Sequence, residues 1–171
     1  MDLHIVDDVE SVCTLLIEIA DHYKLKAQAF PSPTAYLDYV ESGDYIPPAL
    51  AVISDVDMPK MSGFEMMGKV RSTHPLLRFV FVTGYPEIEL QHGRACFYLA
   101  KPFSIAKLAG LFEALAQCAN DGPNAENYGC SSKGDCSCFN IHDWCCPRAG
   151  AATDTPSKSV TLVGVQGRPH A

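Results

Sequence analysis

The stretch 48-PALAVISDVDMPKMSG-63 decides how the front part of this 171-residue chain is interpreted. Residues 50–53 form a short apolar run rich in β-branched residues, which is typical of a strand buried on both faces of a parallel sheet. Asp55 follows where that strand leaves the core. Pro59 prevents continuation of the strand, and Gly63 permits a tight re-entry into a helix. The stretch therefore predicts a strand end whose loop carries two acids, Asp55 and Asp57.

Length and charge limit the classes of protein to which the chain can belong. Its 171 residues suit one domain with a tail and are too few for two ordinary domains. The net charge of -7 argues against direct nucleic-acid binding, because phosphate binding needs a basic face. No apolar run reaches membrane-spanning length, and the N-terminus shows neither a basic leader nor a cleavage site. We therefore expect a cytoplasmic protein without membrane contact, in which free thiols are the rule.

Apolar runs and helical periodicities alternate through the front part of the sequence. We predict strands at residues 3–6, 25–30, 50–53, 78–83 and 96–100. We predict helices at residues 9–23, from 33, at 64–72 and from about 105 to 119, with at most a turn or two at 87–92. The buried face of the last helix is expected to carry Ile105, Leu108, Ala109, Phe112, Leu115 and Ala116. This order predicts an α/β fold with a doubly wound, five-stranded parallel sheet.

Polar side chains able to act on phosphate follow four of the predicted strands. They are Asp7 and Asp8, Asp55 and Asp57, Thr83, and Lys101. Because ligands of such folds bind outside the carboxyl ends of the strands, we expect these side chains to converge on one rim. Clustered acids repel one another unless a cation lies among them, and oxygen ligands with room for water suit Mg²⁺. The rim would then contain the nucleophile, metal and donors that phosphoryl transfer requires.

Four motifs resemble those of the response-regulator receiver domain of two-component signalling, a CheY-like family with a flavodoxin-like fold. They are Asp7-Asp8, Asp55-Val-Asp-Met-Pro-Lys-Met-Ser-Gly63, Thr83-Gly84 and Lys101-Pro102-Phe103. The resemblance covers residues 1–119, the predicted receiver domain. It is closest to receivers joined to LuxR-like transcription factors.

The resemblance implies how the acids would be used. Asp55 would accept a phosphoryl group from a sensor histidine kinase or phosphotransfer protein. Asp8 and Asp55 would bind Mg²⁺ directly, Asp7 would hold it largely through water, and Asp57 would contribute its backbone carbonyl. The chain would then be no turnover enzyme, since it would only accept the phosphoryl group by self-catalysis and lose it slowly.

The resemblance also implies how the signal would leave the site. Thr83 and Lys101 would bind the phosphoryl oxygens, and Tyr98 would turn inward as Thr83 is drawn toward the phosphate. The changed surface would bind a downstream protein partner. Lys101-Pro102 is expected to be a cis peptide. The interval from Thr83 to Lys101 is shorter than usual in the family, which leaves the usual dimer open.

A second enzyme class shares part of the acidic pattern. Asp55-Val-Asp57 at the end of an apolar strand also resembles phosphatases of the haloacid-dehalogenase type, in which the first acid is the nucleophile and the second a general acid. That motif normally lies on the first strand, and a small polar or β-branched residue follows it where this chain has Met58-Pro59. Turnover of an added phosphomonoester would distinguish this class.

Cysteines divide the chain into two regions. Cys13, Cys96 and Cys118 lie in apolar segments and are expected to be small buried hydrophobes. After a predicted linker at residues 120–129, a Cys-rich segment at 130–148 contains Cys130, Cys136, Cys138, Cys145, Cys146 and His142. These side chains suit a zinc or iron-sulfur site, reduced thiols in a loose tail, or redox-switched disulfides. The second functional hypothesis is therefore a metal- or redox-responsive binding module.

The last residues of the sequence, 149–171, are expected to form a flexible tail. Within them, residues 159–165 have strand propensity and could instead pair with a sheet edge. No pair of amphipathic helices follows residue 119, so we expect no helix-turn-helix output domain and no DNA binding by this chain.

Overall fold

The computed structural model describes residues 1–75, 77–84 and 97–120, with side chains described up to residue 116. The strands are β1 (Leu3–Val6), β2 (Ala27–Phe30), β3 (Ala51–Ser54), β4 (Phe79–Thr83) and β5 (Phe97–Ala100). The helices are α1 (Glu10–His22), α2 (Pro33–Glu41), α3 (Gly63–Thr73) and α4 (Ile105–Asn120). The predicted short helix at 87–92, the Cys-rich segment and the tail lie outside the described residues.

The five strands form one parallel sheet in the order β2-β1-β3-β4-β5. Ile5 of β1 lies opposite Ala29 of β2 on one side and Ile53 of β3 on the other. The order reverses direction at β1, which confirms the predicted doubly wound α/β fold. All carboxyl ends of these parallel strands therefore meet at one rim of the sheet.

Neighbouring residues of each strand point to opposite faces, so the sheet separates two core layers. The aliphatic layer, packed by α1 and α4, is defined by Leu3, Ile5, Leu16, Ile53, Val80, Val82, Leu99, Leu108, Leu111 and Leu115. The aromatic layer, packed by α2 and α3, is defined by Val6, Phe30, Tyr36, Val52, Met66, Met67, Phe79 and Phe81. The apolar strands are covered on both faces, as a parallel sheet requires.

The helices that cover the aromatic layer begin at serine caps. Ser32 accepts a hydrogen bond from the Ala35 amide at the start of α2, and Pro33 occupies the first helical position. Ser62 and Glu65 form a reciprocal capping box at the start of α3. In contrast, Val9 precedes α1 without a side-chain cap.

The prediction that every apolar residue on one face of the last helix is buried is wrong for Ile105. Ile105 is 85% exposed, whereas Leu108, Leu111 and Phe112 are buried. Ile105 is the first residue of α4, and this turn lies at the rim beyond the strand ends, where no core is available to receive its side chain. Among the described residues, no helix has both the length and the apolar character needed to cross a membrane.

Candidate functional site

Three carboxylates gather at the rim of the sheet. Asp7 follows β1 and Asp55 follows the neighbouring β3, so the parallel pairing of the two strands brings them together. Asp7, Asp8 and Asp55 each offer an oxygen within 4.8 Å of the others. Asp7 and Asp55 are buried, whereas Asp8 is exposed. The site thus opens to solvent on the side of Asp8.

Lys101 supplies the cation described at this site. Its Nζ donates to Asp55 Oδ2 at 2.6 Å and to Asp7 Oδ2 at 3.2 Å. Burial alone would lower the pKa of Lys101, but the hydrogen bonds and charges of Asp55 and Asp7 outweigh it, so the pKa is raised. Lys101 therefore remains an ammonium between the two buried carboxylates. The Lys101-Pro102 peptide is cis, as expected.

Backbone amides fix the directions of the buried acids. The amide of Val56 donates to Asp55 Oδ1 at 2.6 Å, and that of Asp57 approaches the same oxygen at 3.4 Å. The amide of Val9 donates to Asp7 Oδ1 at 2.9 Å. Burial raises the pKa of Asp7, although the Val9 amide and Lys101 act in the opposite direction. One oxygen of Asp55 is thus held by backbone and the other by Lys101.

The remaining predicted site residues lie beside this cluster. Thr83 ends β4 and is buried, and its carbonyl accepts from the Lys101 amide at 2.6 Å. Tyr98 packs at the edge of the aromatic layer, with its ring centroid 5.8 Å from that of Phe81. The side chain of Asp57 is exposed. The switching role of Tyr98 and the carbonyl ligand of Asp57 stay predictions.

The structure adds groups that the sequence reasoning did not single out. The buried Ser54 hydroxyl donates to the Asp55 carbonyl at 2.7 Å. The sequence feature that could have identified Ser54 is its hydroxyl at the end of an otherwise apolar strand. Cys13 is buried as predicted, and its Sγ also contacts the Asp7 carbonyl at 3.4 Å. The side chains of Cys96 and Cys118, like the Cys-rich segment, lie outside the described part of the chain.

The donor set fits a divalent cation. Three carboxylates face one described ammonium, which leaves an excess of negative charge at a partly open position. Hard carboxylate oxygens with access to water are the ligands that Mg²⁺ prefers. The excess negative charge and the type of ligand atom therefore both favour a divalent cation such as Mg²⁺.

Comparisons with known proteins identify the front part of the chain. A family model described as the response regulator receiver domain matches residues 3–113. The response regulator protein FleR of Pseudomonas aeruginosa is 36% identical over 101 residues, 50% of this chain and 21% of FleR. The sensor kinase CckA of Brucella abortus is 42% identical over 62 residues, 34% of this chain and 7% of CckA. The chain thus spans a small part of the length of these relatives.

Solved structures agree on the fold. The response regulator protein TrrA of Thermotoga maritima, solved in complex with Mg²⁺-BeF, has a TM-score of 0.55 and 24% identity to this chain. The match covers 67% of this chain and 99% of TrrA. Since the family model spans most of the chain and the parallel sheet gathers the expected acids and lysine at one rim, the chain belongs to the family of response regulator receiver domains.

Proposed function

We propose that Asp55 is the phosphoacceptor of a two-component phosphorelay. The observation that carries this proposal is the Asp55 carboxylate itself, which lies among two further carboxylates and 2.6 Å from the Lys101 ammonium. Receiver domains interact with sensor histidine kinases or phosphotransfer proteins. A phosphohistidine of such a partner is the proposed donor.

The proposed reaction transfers one phosphoryl group. A carboxylate oxygen of Asp55 attacks phosphorus, the new O–P bond forms as the P–N bond of phosphohistidine breaks, and the leaving imidazole nitrogen takes a proton from solvent. The Val56 amide holds Asp55 Oδ1, which fixes the plane of the nucleophile. Lys101 and the Thr83 hydroxyl would donate to phosphoryl oxygens as their charge develops.

Asp7, Asp8 and Asp55 are the residues proposed to hold Mg²⁺. Receiver domains bind this ion at an acidic aspartate cluster, and the grouping of the three carboxylates supports the same use here. When bound, the ion would neutralise phosphoryl oxygens. The Asp57 carbonyl is the further ligand that the family resemblance suggests.

The proposed output is a changed surface rather than a catalysed reaction. Movement of Thr83 toward the phosphoryl group would let Tyr98 turn inward against the aromatic layer and alter the face that a downstream protein binds. The absence of an output domain, the state of dimerisation and the cytoplasmic location stay predictions. The metal- or redox-responsive use of the Cys-rich segment is also a prediction, because that segment lies outside the described residues.

Acetyl phosphate provides the decisive test. With Mg²⁺, mass spectrometry of the full chain should show one added phosphoryl group, and Asp55→Asn should abolish it because the nucleophile is lost. Asp38→Asn, an exposed acid on α2, is the matched control and should label like the wild type. Equal labelling of Asp55→Asn would refute the assignment, and continuous turnover of a phosphomonoester would favour the dehalogenase-type phosphatase.

A further inference from the structure

The peptide unit that joins Asp55 to Val56 is held at both ends. Its N–H group, on Val56, donates to Asp55 Oδ1 at 2.6 Å. Its carbonyl, on Asp55, accepts from Ser54 Oγ at 2.7 Å. Rotation of this peptide plane would therefore break both hydrogen bonds, and the first of them, from the Val56 amide, orients the carboxylate.

The Asp55 carbonyl lies in a place that water does not readily reach. A Cβ added at Gly63 would lie within 2.1 Å of this carbonyl oxygen, 2.9 Å of the Phe81 ring and 3.1 Å of Ser54 Oγ. The start of α3 thus covers the carbonyl. Among the described residues, the Ser54 hydroxyl donates to this carbonyl, and an enclosed carbonyl without a donor is destabilising.

Ser54 has no evident packing reason to be polar. It lies opposite Phe81 in the sheet and is 1% exposed, on the same face of β3 as Val52. A small apolar side chain would fill this position without the cost of burying a hydroxyl. The presence of a hydroxyl at Ser54 is therefore explained by the hydrogen bond that it donates to Asp55, the proposed phosphoacceptor.

We propose that Ser54 is a positioning residue for the phosphoacceptor. Its hydroxyl sets the peptide plane so that the Val56 amide binds Oδ1 of Asp55 and the other carboxylate oxygen stays directed at Lys101. This inference rests on the proposed function of Asp55 and deepens it. Ser54 acts through Asp55 and makes no contact with the transferred group.

The test compares Ser54→Ala with the wild type in the full chain. Loss of one orienting hydrogen bond should lower the rate constant of labelling by acetyl phosphate about tenfold at saturating Mg²⁺. The dissociation constant for Mg²⁺, measured by calorimetry, should rise, because the same carboxylate contributes to the ion site. The midpoint of urea unfolding should also fall, because the enclosed Asp55 carbonyl loses its donor. A purely structural serine would lower the unfolding midpoint and leave both the labelling rate and the Mg²⁺ affinity of the folded protein unaltered.

Ser62→Ala is the matched control from the same β3-to-α3 connection. Its hydroxyl caps α3 and hydrogen-bonds to Glu65 rather than to Asp55. This variant should lower the unfolding midpoint and leave both the labelling rate and Mg²⁺ affinity unchanged within error. Ser54→Ala is thus expected to lower stability, labelling rate and Mg²⁺ affinity, whereas Ser62→Ala is expected to lower stability alone.

A second variant keeps the proposal open to refutation if Ser54→Ala does not fold. Ser54→Cys replaces the hydroxyl with a somewhat larger thiol, which is a weaker donor, so its labelling rate should fall between those of Ser54→Ala and the wild type. Unchanged rates and Mg²⁺ affinities in the folded variants would overturn the role of Ser54. If the wild type itself binds Mg²⁺ but is not labelled, the phosphoacceptor proposal fails, and the Mg²⁺ titrations still decide whether Ser54 orients Asp55.

Discussion

The two core layers of the sheet differ in whether they contain buried polar side chains. The aliphatic layer consists of side chains such as Leu3, Ile5 and Ile53, which only pack. The aromatic layer takes the alternate residues of the same strands, and there His4 and Ser54 are buried among rings. Because one strand serves both layers, a single residue step separates a packing position from a polar one.

The difference between the two layers indicates which substitutions should affect the site. The carbonyl of Asp55, the proposed phosphoacceptor, accepts from Ser54 and lies close to Gly63, which also faces the Phe81 ring. These contacts lie on the aromatic side of β3, whereas on the aliphatic side the described side-chain contact with the site is that of Cys13 Sγ with the Asp7 carbonyl. Changes beside Ser54 and Gly63 should alter stability and phosphorylation together, and changes at aliphatic positions away from Cys13 should alter stability alone.

The largest expected effect tests the aromatic side. Gly63→Ala would place a Cβ within 2.1 Å of the Asp55 carbonyl oxygen, a backbone atom that moves only with the site. We expect a loss of about 4 kcal/mol in the free energy of unfolding, measured by urea denaturation, and loss of labelling by acetyl phosphate.

Gly68→Ala is the control for Gly63→Ala within the same helix. An added Cβ at Gly68 meets no atom within 4 Å, and the position is exposed in the interior of α3. It should stabilise the protein by about 0.5 kcal/mol and leave labelling unchanged. Similar losses of stability in both variants would show that the close approach at Gly63 is unimportant.

The second prediction tests the aliphatic side. Leu16 of α1 is 1% exposed, and Leu16→Ala should cost about 3 kcal/mol of unfolding free energy through lost burial and a cavity. Its labelling rate under folded conditions should match the wild type. Leu15→Ala, at the exposed neighbour, should change stability by less than about 0.5 kcal/mol. A strong loss of labelling in folded Leu16→Ala would remove the distinction between the layers.

The third prediction uses acid to probe the aromatic layer. His4 is fully buried, and its Nδ1 lies 3.1 Å from the Tyr36 hydroxyl. Burial, and then the N-terminal ammonium, lower the pKa of His4 from 6.5 to about 4. The unfolded chain therefore takes up a proton as pH falls through 6.5, while the folded protein resists until about 4.

The stability that neutral His4 contributes is complete above pH 6.5 and is lost as pH falls. Between pH 7.5 and 5 the wild type should lose about 2 kcal/mol of unfolding free energy more than His4→Asn does. Ile5→Val, in the same strand, removes a methyl group and no titrating group. The difference in unfolding free energy between this variant and the wild type should therefore be constant over this pH range. A constant difference for His4→Asn as well would contradict a buried neutral imidazole.

Sequence patterns were sufficient to predict the sheet and the position of the acids at its rim. Apolar runs ending at Asp7 and Asp55 located β1 and β3, and parallel pairing then required the two acids to meet at the rim. Lys101 was predictable for the same reason, since it directly follows β5. These features depend on local composition and on the geometry common to all parallel sheets.

Features that depend on particular atoms were not predictable. Helical period placed Ile105 on the buried face, but the period does not reveal that the first turn of α4 extends beyond the core. It also does not show that Gly63 is required by the closeness of the Asp55 carbonyl. A positive φ of 70° falls instead on Lys60, in the same loop. Such requirements arise from contacts between segments.

The smallest expected effect concerns the start of α1. The other described helices, α2, α3 and α4, start at Ser32, Ser62 and Ser104, whose hydroxyls accept from first-turn amides, whereas α1 starts at Val9, which is 46% exposed. Val9 already has the extended backbone, with φ -97° and ψ 104°, that a capping serine needs. Val9→Ser should therefore raise the free energy of unfolding by about 0.5 kcal/mol, measured by urea denaturation.

The amide of Val9, rather than its side chain, contacts the site through Asp7. Val9→Ser keeps this amide, so labelling by acetyl phosphate should stay at the wild-type rate while stability rises. Ser32→Ala is the reciprocal control and should lose about 1 kcal/mol with labelling also unchanged. If Val9→Ser instead slowed labelling, the new hydroxyl would be competing for the donors around Asp7, and the missing cap of α1 would be a requirement of the acidic cluster.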